Sequence, residues 1–104
     1  MTEPTPPIRD LAYAEVGDSE ELGGLIVQMH FDKLLTEGEA RVGGKASRRS
    51  RVGLALTALM TTVLDLQVLN NEDKIDDYKG QMFFGLRACA DIIGSPDVET
   101  ASLN

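Results

Sequence analysis

Apolar positions recur along this chain at helical rather than strand spacing, and they gather into three long segments. In the first, Leu22, Leu25, Ile26 and Met29 share one face of a helical projection, while Val27, Phe31, Leu34 and Leu35 share another, nearly opposite. A helix that is apolar on two sides needs two partners. Asp18 followed three residues later by Glu21 forms a capping-box-like pair, and Gly38 offers a stop, so the spacing predicts a helix over 18–36.

The second segment predicts a helix over 47–69 starting at Ser47. Val52, Leu56, Leu59, Val63 and Leu66 follow a 4-3-4-3 spacing that reads as a core seam, widened by Ala55, Met60 and Leu64. The opposite face carries Thr57, Thr61 and Asp65, but also Leu54 and Val68. The third predicted helix, 71–93, is capped by Asn70 or Asn71 and stopped by Gly94 and Pro96. Its core stripe is Ile75, Tyr78, Met82, Leu86, Cys89 and Ile93, with Phe84 on the far side.

The expected fold is therefore all-α, a small antiparallel three-helix bundle spanning residues 18–94. Residues 1–17, with three prolines in "TEPTPP", read as an extended or partly helical arm that Ile8, Leu11 and Val16 could dock. Residues 95–104 read as a polar tail. The surplus apolar faces imply a homodimer or larger assembly, with Val27, Phe31, Leu34, Leu35 and Phe84 as candidate interface residues.

Length and composition narrow this further. The 104 residues make one domain with a modest core, and with no Trp, three Phe and two Tyr the interior falls to aliphatic residues. The longest uncharged run, Val52 to Leu64, makes roughly 20 Å of helix against the ~30 Å of a bilayer core, so a core helix is expected and not a membrane span. Cys89 is the single cysteine, which excludes an internal disulfide framework, and "MTEPTPPIRD" has neither a basic nor an apolar leader region. A cytoplasmic protein is expected.

Charge changes the picture most. The net charge is −7, yet Arg41, Lys45, Arg48, Arg49 and Arg51 put +5 into residues 41–51, leaving −12 for the rest. Three of these arginines fall in the first turn of the second predicted helix, where the macrodipole already disfavours cations. Free N–H groups and guanidinium groups together form an anion site. Lys45, Ser47, Arg48, Arg49 and Arg51 are thus candidate ligand-binding residues. The competing reading pairs them with Glu37, Glu39 or other carboxylates of the protein itself.

Catalytic chemistry finds little support. His30 is the only histidine and lies between the two apolar faces of its helix, a position that favours packing over catalysis. Cys89 sits in a core stripe, where the thiol behaves as a small hydrophobe. Asp76 and Asp77 are adjacent on a helix and diverge by about 100°. One His and one Cys make no zinc site, and "GGKAS" lacks the Gly-Lys-Ser/Thr run of a phosphate-binding loop. No enzyme activity, metal or cofactor is expected.

Residues 49–59, "RSRVGLALTAL", resemble the start of the second hairpin helix in phage proteins that sequester cyclic nucleotides. The likeness lies in an Arg-bearing turn followed by Leu54-Ala55-Leu56-Thr57 and covers eleven residues. The acidic and aromatic residues of that family are replaced here by Met60, Thr61 and Thr62. The resemblance implies a small non-enzymatic helical oligomer that holds nucleotides between subunits.

Three functions follow as expectations. The first is a non-enzymatic, self-associating helical protein that acts by binding another protein. The second is capture of a phosphate-bearing small ligand at Arg48, Arg49 and Arg51. The third, nucleic-acid binding through 41–51, is opposed by the −12 elsewhere and by the lack of nearby aromatics for stacking.

Overall fold

The computed structural model describes residues 5–94. Four helices pack together: α1 (Ile8–Val16), α2 (Leu22–Val42), α3 (Arg48–Asn71) and α4 (Tyr78–Gly94). The helical class is as expected, but the described residues form four helices where three were expected, because the arm contributes α1. The polar tail expected over 95–104 lies outside the described residues, as do residues 1–4.

Local chemistry sets the boundaries, and several differ from the sequence reading. Asp18 does not cap α2. Its carboxylate instead accepts the Asp76 N–H at 3.1 Å across the chain, and α2 begins at Leu22 after a turn at Ser19. Gly38 lies inside α2, which continues to a left-handed Gly43 (φ 76°) whose N–H returns to the Glu39 carbonyl. Ser47 caps α3 as expected, its hydroxyl accepting the Ser50 N–H at 3.2 Å.

The junction after α3 is also not the short one expected. α3 runs through Asn70 and Asn71 and ends in a Schellman arrangement, with the Lys74 N–H on the Leu69 carbonyl and the Asp73 N–H on Asn70. Asp73 takes the left-handed conformation, which a short polar side chain tolerates (φ 58°). Asp77 then caps α4 through the Gly80 N–H at 3.0 Å.

Two apolar clusters hold the helices together. One joins Ala12, Leu22, Ile26, Leu66, Leu69 and Ile75; the other joins Val27, Phe31, Ala55, Ala58 and Cys89. The two apolar faces of α2 are thus both covered within the chain, one in each cluster. Val27 and Phe31 are buried here, and Leu34 and Leu35 pack against the same cluster. Within one chain, α3 and α4 thus supply the second partner that α2 needs, with Leu34 and Leu35 left half-buried.

The orientation of α3 is the main surprise. Its interior stripe is Ala55, Ala58, Thr62, Asp65, Leu66 and Leu69, not the seam of large residues expected from spacing. Small residues let the backbones approach: the Cys89 thiol reaches the Ala55 carbonyl at 3.4 Å, and Gly85 faces Val27 and Thr62. On α4 the buried residues are likewise Gln81, Gly85 and Cys89. In this stretch α3 and α4 roll small residues inward and Leu56, Met60, Leu64, Phe83 and Leu86 outward, while Leu66 and Leu69 stay buried.

As a consequence α3 is not an enclosed core helix. It is long and apolar enough to cross a membrane by length and composition (mean hydropathy 1.7 over its best window), yet only 33% of that window is buried. The molecule measures 46 × 39 × 19 Å, and its short dimension is about two helix diameters. A slab of that thickness has no layer to cover the outer faces of α3 and α4.

Candidate functional site

The basic turn has a structural use that its sequence did not reveal. Arg48, the first residue of α3, donates from its guanidinium to the Ile93 carbonyl at 3.1 Å, one residue before α4 ends. A cation at the start of one helix thereby meets the negative end of its antiparallel neighbour. Glu39 accepts the Ala46 N–H at 2.8 Å, so a carboxylate of the chain already occupies the approach to α3. The structure does not gather the five candidate residues around one point. Arg48 turns to α4, Ser47 is engaged with Ser50, and Arg51 lines a cleft with Gln28, Phe31 and Ile92. Lys45 and Arg49 are exposed.

Arg48→Ala should consequently lower stability by about 1 kcal/mol, or a few degrees in thermal midpoint. Helix-dipole reasoning on α3 alone gives the opposite sign, which makes the measurement decisive. Arg49→Ala should fall within about 0.5 kcal/mol of the parent protein.

A polar cluster lies where α1 crosses α2 and α3. Asp65, only 8% exposed, accepts from Arg9 Nη1 at 3.3 Å through one carboxylate oxygen, and its other oxygen lies 2.6 Å from His30 Nε2. His30 is therefore a half-buried residue tied to a carboxylate. Among the described residues no hydroxyl or thiol is hydrogen-bonded to it. Spacing alone puts Asp65 on the face opposite the expected seam. The roll of α3 brings it inside, where the Arg9 guanidinium and the His30 ring both meet it.

Two further buried polar contacts fix α2 against α4. Gln81 accepts the Gly23 N–H at 2.8 Å through Oε1 and donates from Nε2 to the Ser19 carbonyl at 2.6 Å. Burial pushes the Cys89 thiol up from its ordinary range, which removes thiolate character at neutral pH. Among the described residues no group of three or more His, Cys, Asp or Glu could hold a metal ion.

The surface carries two features that the sequence reading missed. The first is apolar: Leu56, Met60, Leu64, Phe83 and Leu86 are 48%, 70%, 62%, 60% and 55% exposed. Ala55 beside Cys89 and Thr62 beside Gly85 set the register of the antiparallel pair. That register brings Phe83 and Leu86 to the height of Leu59, Met60 and Val63, so the exposed residues flank one seam. Thr57 and Thr61 turn their hydroxyls back to the carbonyls of Gly53 and Thr57, leaving the outer face of α3 little hydrogen-bonding capacity. The second is a groove between α2 and α4 with an acidic rim, into which Phe84 projects half-buried. The readable signal for both was the spacing of small residues, Ala55, Ala58 and Thr62 on one helix and Gly85 and Cys89 on the other.

No protein-family model, curated protein or solved structure matches the chain.

Proposed function

We propose that this protein is a non-enzymatic helical interaction module that self-associates through the outer α3–α4 face and acts by binding another protein. The exposed, uncharged stripe of Leu56, Met60, Leu64, Phe83 and Leu86 carries this reading. Large side chains left in water at contiguous positions mark a contact surface, since a monomeric domain rarely retains a patch of several hundred Å².

A second copy is the occupant that the charges favour. Each chain carries −7, so two copies repel through most of their surfaces. From Val52 to Leu64 the sequence holds no charged residue, and two such faces can meet about a two-fold axis without opposing carboxylates.

Native mass spectrometry and analytical ultracentrifugation at micromolar concentration should show a dimer. Met60→Glu together with Leu64→Glu should give a folded monomer, because both side chains are largely in solvent within one chain. A parent protein that stays monomeric through the micromolar range would sink the reading. Flotation with neutral lipid vesicles in place of a dimer would make the same face a membrane surface.

A further inference from the structure

We infer that the acidic groove between α2 and α4 is the docking site for a basic amphipathic helix of a partner protein. The inference rests on reading the protein as a binding module, but not on which face mediates self-association.

The groove has the form that such a helix requires. Val16, Leu25, Phe84 and Ala88 provide an apolar floor in a cleft of about 480 Å³. Glu15, Glu20, Glu21 and Asp91 stand around it against the single cation Arg87. None of these four carboxylates is ion-paired among the described residues. Gly24 keeps the floor low, since a Cβ there would meet only Ala88 and Phe84 at ordinary contact distance. A second cleft of about 390 Å³ shares Ala88 and Asp91 and prolongs the groove past Gln28 to Phe31 and Ile92, with the cation Arg51 at this far end.

Length and polarity specify the occupant further. From the turn at Glu20 and Glu21 the groove follows the first ten residues of α2 to Phe31, roughly 15 Å, or nearly three turns of an incoming helix. An apolar stripe at i, i+4 and i+7 would lie on the floor, with Lys or Arg on its flanks against the carboxylates. Its N-terminus, the positive end of the dipole, belongs near Glu15, Glu20 and Glu21. The protein's own segments do not fit: residues 41–51 are basic but carry only Val42 as a large apolar residue, and residues 95–104 carry Asp97 and Glu99 with no basic residue.

The test uses three fluorescent peptides of equal length at physiological salt. One is a basic helix with a Leu stripe, the second has the same composition scrambled to destroy the stripe, and the third replaces Lys by Glu. The first should bind with micromolar affinity and the others at least about tenfold more weakly. Glu20→Lys with Glu21→Lys should weaken binding about tenfold, and Gly24→Leu, which fills the floor, should do the same in a protein shown to be folded by circular dichroism. Glu37→Lys with Glu72→Lys makes the same change in net charge away from the groove and should leave affinity unchanged. Equal binding of the scrambled peptide, equal loss in the distant pair, or no binding at all would overturn the inference. The Met60→Glu, Leu64→Glu monomer should still bind the peptide, which separates this site from the self-association face.

Discussion

Replacing Gly23 by alanine is expected to destabilise the protein by about 2–3 kcal/mol, a fall of roughly 10–20 °C in thermal midpoint. Helix propensity alone gives the opposite result, a gain of about 1 kcal/mol in a helix interior. The difference comes from what stands beside the residue. A Cβ on Gly23 would overlap the Gln81 backbone carbonyl oxygen, and backbone cannot swing aside as a side chain can. Separating α2 from α4 to admit the methyl would also stretch the Gly23 N–H to Gln81 Oε1 bond and loosen the Gln81 contact with Ser19. The neighbouring glycines provide controls. Around Gly38 nothing lies within 4 Å of an added Cβ, and at Gly24 the contacts are ordinary. Gly38→Ala and Gly24→Ala should both raise the midpoint, by up to about 1 kcal/mol each. If Gly23→Ala behaves like them in thermal denaturation, the close crossing of α2 and α4 is wrong.

The second large effect belongs to Asp65. Asp65→Ala removes the shared acceptor of Arg9 and His30 and leaves two polar groups facing each other in a half-closed space. A loss of about 2–4 kcal/mol is expected, below the upper range for buried pairs because Arg9 retains some solvent. Arg9 Nε is already buried without a partner, so little further satisfaction can be found by a small shift. Arg9→Met, His30→Leu and Asp65→Leu combined should recover most of that loss, since an apolar triad of similar volume needs no acceptor. Urea denaturation of the two variants measures both effects. A triple variant no more stable than Asp65→Ala would mean that the cluster contributes more than mutual compensation.

Much of the fold was legible in the chain. The 3.6-residue period gave three helices their identity, the two-sided pattern of α2 correctly demanded two partners, and Ser47 marked the start of α3. What misled was size. Spacing treats Leu56 and Ala55 as adjacent candidates for the core and favours the larger one for its apolar area. The packed molecule takes Ala55, Ala58, Gly85 and Gly23 instead, because close backbone approach brings many more atoms into contact than one protruding leucine would. That choice depends on the partner helix and has no signature within a single segment. Asp65 was misplaced for the same reason, as the roll of α3 carried it inward toward Arg9, 56 residues earlier. The use of Arg48 was hidden because its acceptor, the Ile93 carbonyl, belongs to the backbone and has no sequence identity at all.

The arrangement of the two clusters also orders events in time. The second cluster draws only on α2, α3 and α4, whereas α1 contributes Ala12 and its flanking residues to the first alone. α1 is tied down by Asp65 and by the Lys74 ammonium over the Tyr13 ring at 5.6 Å. Both anchors lie far downstream. At a synthesis rate of about 5–20 residues per second, Arg9 is added roughly 3–11 s before its partner Asp65 is made. α1 must thus wait for its seat until Asp65 and Lys74 have been made. Until then the groove that it closes on α2 and α3 stands open, and the nascent protein exposes apolar surface that the finished one conceals.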